Sequence, residues 1–150
     1  MGNFTDYHNG IIAIDADYIR PNMAAVHLVI DDGEAMIVDT GTAHTVSLVL
    51  EVVNQQSLSR ESIKAICLTH IHLDHAGGAG QLMQEFPMAK LYVHPRGVRH
   101  MADPAKLIAG TQAVYGKALY EKLYQEILPI DVERIIEAVS YTHLTLPTIA

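Results

Sequence analysis

The chain is poor in several features that define whole classes of protein. Its 150 residues include a single cysteine, Cys67, and no tryptophan. One cysteine cannot form an intrachain disulfide, so a disulfide-stapled scaffold is excluded. No apolar run is long enough to span a bilayer, and the first residues lack the basic start and apolar stretch of a secretory leader. We therefore expect a cytoplasmic protein without a membrane partner.

Positive charge is also scarce. Ten lysines and arginines face 17 aspartates and glutamates, which gives a net charge of −7. Nucleic acids and anionic membranes are bound through basic patches, so we expect neither as a partner. A small-molecule substrate is the remaining expectation, and the sequence leaves the oligomeric state open. Apolar residues make up 49% of the chain, which is enough for the core of one domain or of part of one.

Periodicity in the sequence predicts a mixed sheet with helices on one face, an α/β (α+β) architecture. A hairpin turn at 31–34 separates two of the predicted strands. The predicted strands are 11–15, 24–30, 35–38, 63–68 and 90–93. The predicted helices are 45–54, 76–86 and 104–128, the last with possible breaks at Gly110 and Gly116.

The richest segment in chemical terms follows the strand at 63–68. His70, His72, Asp74 and His75 fall within six residues, and Gly77 and Gly78 come directly after them. Imidazole and carboxylate groups are ligands for Zn²⁺, Fe²⁺ or Mn²⁺. Because the segment lies on a turn between a strand and a helix, its side chains can converge on one point. We therefore predict a metal centre whose four groups are divided between two adjacent ions.

This segment resembles the HxHxDH signature of the metallo-β-lactamase-fold hydrolases, a superfamily that includes glyoxalase II-like enzymes. A second likeness lies upstream, where Asp39 ends a strand and is followed by Thr40 and Gly41. The resemblance covers roughly residues 10 to 138. It implies an αββα sandwich built from two similar halves.

The resemblance also implies a role for each residue. His70 and His72 would hold the first metal, and Asp74 and His75 the second. Asp39 would orient the ligand turn from behind. Asp74 would also act in catalysis by orienting the attacking water. A complete domain of this family would hold two Zn²⁺ ions, with iron or manganese as alternatives.

The sequence departs from the family pattern after Glu137. The expected third histidine, bridging aspartate and last histidine are missing, and His143 has the wrong sequence context for a ligand. We therefore predict that residues 1–138 form roughly the N-terminal half of the fold. Residues 139–150 lose all charge and become rich in threonine and leucine, which predicts a tail that is not native.

The resemblance implies a metal-dependent hydrolase of small acyl substrates such as thioesters, lactones or β-lactams. A metal would lower the pKa of a bound water to about 7 and supply hydroxide at neutral pH. Two alternatives remain open. The chain is a non-catalytic fragment that binds metal weakly, in which case it is inactive by itself, or it belongs to an iron enzyme of the persulfide dioxygenase type.

Overall fold

The computed structural model describes residues 3–140 and residue 142. Seven strands form one sheet in chain order from β1 to β7. The strands are β1 (Phe4–Asp6), β2 (Ile11–Asp15), β3 (Ala25–Asp31), β4 (Glu34–Val38), β5 (Ile63–Cys67), β6 (Lys90–Val93) and β7 (Ile135–Glu137). The first four are antiparallel neighbours, and the pairs from β4 to β7 are parallel.

Six helices make the connections between the parallel strands, as parallel pairing requires. They are α1 (Val46–Gln55), α2 (Leu73–Ala76), α3 (Ala79–Glu85), α4 (Pro95–Ala102), α5 (Ala105–Tyr115) and α6 (Lys117–Tyr124). The mixed sheet and its helices confirm the predicted fold class.

The core lies between one face of the sheet and the helices. Alternate residues of the first strands point into it, among them Ile12, Ile14, Val26, Leu28 and Ile37. From the helical side, α1 contributes a stripe of buried valines and α3 contributes buried Leu82 and Met83. Valine is a modest helix former, so α1 is stabilised mainly by this packing.

The opposite face of the sheet carries a row of side chains that strand pairing places side by side. The row is Ala13, His27, Val38, Cys67, Tyr92 and Ile136. All six are half-buried. The core-facing residues of the same strands are buried, so in the part of the chain that is described the helices cover one face of the sheet.

The structure adds two strands that were not predicted, β1 and β7, and it differs from the predicted helices in three places. Asp74 and His75 lie in the one-turn helix α2, which is separate from α3, where a turn followed by one helix from 76 was expected. Gly110 does not interrupt α5, whereas Gly116, at a φ of 79°, does separate α5 from α6. A helix, α4, lies between residues 93 and 104, where no element was predicted.

The start of α4 explains the third difference. His94 is its N-cap and accepts a hydrogen bond from the Arg96 N–H through Nδ1 at 3.1 Å. Pro95 follows at the first helical position, where proline lacks only an N–H that a helix leaves unpaired anyway. The predicted tail at 139–150, with His143, lies outside the described residues apart from positions 139, 140 and 142.

Candidate metal centre

The candidate site is built where two parallel strands end side by side. Val38 pairs with Cys67 as the last residues of β4 and β5. Carboxyl ends of parallel strands share one edge of the sheet, and this is where α/β proteins place their sites. Asp39 leaves β4 with a φ of 60°, a left-handed conformation that aspartate tolerates better than most residues.

Asp39 is only 7% exposed, and its carboxylate connects the polar groups at this edge. Its Oδ1 accepts the Thr69 N–H at 2.8 Å, and its Oδ2 lies 2.8 Å from the Thr69 hydroxyl. The same Oδ2 lies 3.1 Å from His75 Nδ1. A carboxylate only accepts hydrogen bonds, so both the hydroxyl and Nδ1 donate to it.

Thr69 extends this network to a second imidazole. Its hydroxyl lies 2.9 Å from His70 Nδ1. Because the hydroxyl proton is directed at Asp39, the oxygen accepts from the Nδ1–H of His70. His70 and His75 therefore both have the Nδ1 position occupied, which leaves each Nε2 with a free lone pair. Metal-binding histidines are oriented in this way.

Thr40 and Gly78 fix the backbone of α2, the helix that carries Asp74 and His75. The Thr40 N–H and hydroxyl both donate to the His75 carbonyl, at 2.7 Å and 2.9 Å. Thr40 in turn accepts the Gly78 N–H at 3.2 Å. A Cβ on Gly78 would lie 2.8 Å from the Thr42 carbonyl oxygen, so a side chain at this position would push α2 away from the strand end.

The four predicted ligand side chains lie together. The His70 ring is 4.8 Å from the His72 ring and 4.3 Å from the His75 ring, measured between centroids. Asp74 Oδ2 lies 3.3 Å from His75 Nε2. His70 and His72 are exposed and Asp74 and His75 are half-buried, so the cluster opens to solvent.

The contact between Asp74 and His75 tests whether a metal fits. Both facing atoms are hydrogen-bond acceptors when Nδ1 carries the imidazole proton, so the contact is stabilised only by a cation between them, a proton or a metal ion. Two ligands about 2.0–2.2 Å from one tetrahedral Zn²⁺ are about 3.3–3.6 Å apart. The observed 3.3 Å matches this separation.

The predicted ligand side chains are arranged to contact a metal ion two at a time. Among residues 3–140 and 142, no group of three or more His, Cys, Asp or Glu side chains is arranged to hold one metal ion. A stable centre here therefore needs at least one further ligand.

The remaining predicted residues have other surroundings. Asp39 takes the position behind the ligands that was predicted, and its role toward a metal stays a prediction. Sequence reasoning missed Thr69, although a hydroxyl next to His70 was the available signal. Cys67 faces the open side of the sheet, where burial and the nearby Asp39 charge raise the pKa of its thiol to about 11. A thiol protonated at neutral pH is a poor nucleophile.

Solved structures with this fold include metallo-β-lactamases. A subclass B3 enzyme, MEM-A1, from a soil metagenome library superposes with a TM-score of 0.69 at 16% identity, over 97% of this chain and 49% of that one. A motif mutant of the enzyme from Cronobacter sakazakii gives a TM-score of 0.67 at 18% identity, over 96% and 50%. At such identities the likeness shows the fold alone.

Curated relatives are hydrolases. Hydroxyacylglutathione hydrolase of Xanthomonas campestris pv. campestris is 40% identical over 80 residues, covering 50% of this chain and 29% of that protein. Ribonuclease J of Pyrococcus abyssi is 30% identical over 142 residues, covering 83% and 30%. The chain thus spans about a third of the length of these relatives.

The fold and the site define an α/β protein whose polar cluster lies at the carboxyl ends of parallel strands. The family model of the metallo-beta-lactamase superfamily matches residues 19–148. The chain therefore belongs to this superfamily. This confirms the family predicted from the HxHxDH segment. In the described part of the chain, no helix has the length and apolar character needed to cross a membrane.

Proposed function

We propose that this chain supplies the metal-binding half of a hydrolase that acts on small acyl substrates, with thioesters as the first class to test. The observation that carries the proposal is the paired arrangement of Asp74 and His75, because Nδ1 of His75 is held by Asp39 while Nε2 faces the Asp74 carboxylate. The likeness to hydroxyacylglutathione hydrolase supports a thioester substrate.

The proposed ligands are His70 and His72 for one Zn²⁺ and Asp74 and His75 for another, with iron or manganese as alternatives. When bound, the metal lowers the pKa of water and polarises the substrate carbonyl. The residues of this chain provide orientation. Asp39 holds the proton of His75 on Nδ1, and Thr69 does the same for His70. Asp74 would orient water at the open side of the cluster.

A small neutral or anionic substrate suits the charge of the chain better than RNA does. With a net charge of −7, long-range attraction of a polyanion is absent. Ribonuclease J is nevertheless among the relatives, so RNA hydrolysis is the outcome that would redirect the proposal.

The first test is metal binding. Zn²⁺ is titrated into the metal-free chain in competition with a chromophoric chelator. We expect weak or substoichiometric binding, because each pair of ligands lacks a partner. His75→Ala should lower the affinity at least tenfold, whereas His100→Ala, on helix α4, should leave it unchanged. Equal affinity in both variants would refute the assignment of His75.

The second test is hydrolysis by the longest natural protein that contains this sequence. A glutathione thioester, a lactone, a β-lactam and a short RNA are compared with and without Zn²⁺. Thioester hydrolysis that is lost in Asp74→Ala supports the proposal. Cleavage of RNA without acyl hydrolysis would overturn it.

A further inference from the structure

One cavity of the structure has a volume of about 540 Å³. We call it the lateral cavity. It lies between the loop that follows β2 and the hairpin of α5 and α6. Its walls include Tyr18, Ile19, Tyr115, Leu119, Lys122 and Leu123. Small-molecule sites in proteins span about 300–1,000 Å³ and are mostly apolar with a few polar groups.

The walls hold large apolar side chains that are left open to solvent. Ile19 is 64% exposed, Tyr115 44% and Leu119 42%. Single exposed apolar residues are ordinary, but three around one concavity form a patch of the kind that marks a binding site. Ile19 also has a φ of 63°. A β-branched residue is strained there, and such strain clusters at ligand clamps.

The cavity walls are held in place by polar contacts between distant segments. The hydroxyls of Tyr18 and Tyr124 lie 2.7 Å apart, and their rings stack at 5.9 Å. Burial and this hydrogen bond raise the pKa of Tyr124, so the pair stays protonated. His44 Nε2 lies 2.9 Å from the Lys122 carbonyl oxygen and ties α6 to the turn before α1. Walls fixed in advance reduce the entropy lost on binding.

Tyr18 and Tyr124 also pack against the helix that carries the predicted ligands, α2. Leu73, the first residue of α2, is buried with Tyr18, Tyr120, Tyr124 and Ile127. Tyr18 also lines the lateral cavity, so the cavity wall and α2 share its packing.

We propose that the lateral cavity binds a linear aliphatic acyl chain. Leu119 and Leu123 are one helical turn apart on α6, about 6 Å along its axis, and Tyr115 continues this wall at the end of α5. Such a row of aliphatic and aromatic side chains fits an extended methylene chain, with Lys122 available to a carboxylate. The lining does not include the predicted metal ligands, so the lateral cavity is a separate site and this inference goes beyond the proposed function.

The experiment uses the metal-free protein, so that its result does not depend on hydrolysis or on metal binding. Methyl groups of isoleucine, leucine, valine and methionine are labelled with ¹³C, and decanoate is titrated below its micelle concentration. We expect saturable shifts at Ile19, Leu119 and Leu123. Butyrate and phenylacetate, titrated in the same way, should bind at least tenfold more weakly than decanoate.

Two variants and a matched control locate the site. Leu119→Ser should weaken decanoate binding about tenfold, the loss expected for removing a few buried methylene groups. Ile19→Asn should also weaken binding while raising thermal stability, because asparagine tolerates the left-handed conformation. Met88→Ser changes a side chain that is 54% exposed and lies outside the lateral cavity, and should change nothing.

Three results would overturn the inference. One is the absence of saturable shifts, and another is shifts as large at Met88 and Val132 as at Leu119. The third is phenylacetate binding as tightly as decanoate, which would make the cavity an aryl site. Failure of the proposed function would show itself separately, as unaltered Zn²⁺ affinity in His75→Ala with decanoate binding intact.

Discussion

Asp39 binds His75 across 36 residues of sequence, with 3.1 Å between its Oδ2 and Nδ1 of the imidazole. Asp39 ends one strand and His75 lies in the helix that follows the neighbouring strand. The contact fixes which nitrogen of His75 carries its proton, and it leaves Nε2 facing Asp74 at 3.3 Å. The carboxylate thus sets the state of a predicted ligand from behind it.

Replacing this carboxylate by an amide should disturb the orientation of the predicted ligands. Asp39→Asn keeps the shape but turns one acceptor oxygen into an NH₂ donor. In either orientation of the amide, this NH₂ group faces another donor, the Thr69 N–H or the Nδ1–H of His75. We expect Zn²⁺ affinity to fall about 10–100-fold and the free energy of unfolding to fall by about 1–3 kcal/mol. Competition with a chelator and urea denaturation measure the two. Asp32→Asn, in the exposed hairpin turn, is the control, and an equal effect there would contradict the assignment.

Removing the Thr69 hydroxyl should release His70. Thr69→Val leaves Nδ1 of His70 without its acceptor, so the ring should populate both tautomers and bind Zn²⁺ about tenfold more weakly. The tautomer is read from ¹⁵N chemical shifts of the metal-free chain, independently of activity. Thr69→Ser should restore both properties. Thr111→Val removes a hydroxyl that donates to the Leu107 carbonyl in α5, and a similar change of tautomer in that variant would remove the argument for Thr69.

Cys67 should be unreactive in the folded protein. With its pKa raised to about 11 from about 8.5 in an unfolded chain, its thiolate fraction at pH 8 is roughly a hundredfold smaller than after unfolding. Alkylation by iodoacetamide, followed by mass spectrometry, should be slower by a comparable factor. Native alkylation as fast as that in urea would show that the thiol is neither buried nor shifted.

The same shift gives a pH dependence of stability. The folded state holds the Cys67 proton more tightly than the unfolded state, so the contribution is fully present below about pH 8.5. It is lost as pH rises toward about 11, because the unfolded state releases its proton first. The decline in unfolding free energy over this range should be smaller in Cys67→Ala. Superimposable pH profiles for the two proteins would contradict this.

Two glycines provide a matched pair. A Cβ at Gly78 would lie 2.8 Å from the Thr42 carbonyl oxygen and 3.1 Å from that of Thr40, whereas one at Gly110 would meet nothing within 4 Å. Gly78→Ala should destabilise the protein by about 1–3 kcal/mol. Gly110→Ala, inside α5, should stabilise it by about 0.5–1 kcal/mol. Urea denaturation decides both, and effects of equal sign would show that the packing around Gly78 is looser than the structure has it.

Several elements could be predicted because their signals are local. Alternation of apolar residues predicted β2 to β6 to within one or two residues, and the valine stripe predicted α1. Helix α4 was not predicted, although His94 and Pro95 form a cap and a first helical residue, because histidine is not among the residues that usually cap a helix start. The end of α2 was missed because a one-turn helix has too few residues to show a period.

The candidate site also has features that could be predicted from the sequence and features that could not. The types and spacing of His70, His72, Asp74 and His75 predicted both the family and a cluster of polar groups. The link from Asp39 through Thr69 to His70 could not be read from the spacing, because it depends on the parallel register of β4 and β5. The cavity walls depend still more on long-range packing, since the hydrogen-bonded pair Tyr18 and Tyr124 are 106 residues apart.

By itself the sequence determined the chemistry that is available, because side-chain types and local periodicity are properties of short segments. It determined a chain with a mixed sheet, a cluster of metal-ligand side chains after β5 and a single unpaired thiol. The tertiary structure decided which of these groups meet. The direction of the Asp39 side chain, the proton positions on His70 and His75 and the opening beside Ile19 all depend on how distant segments pack, and packing free energy is shared among residues far apart in the chain.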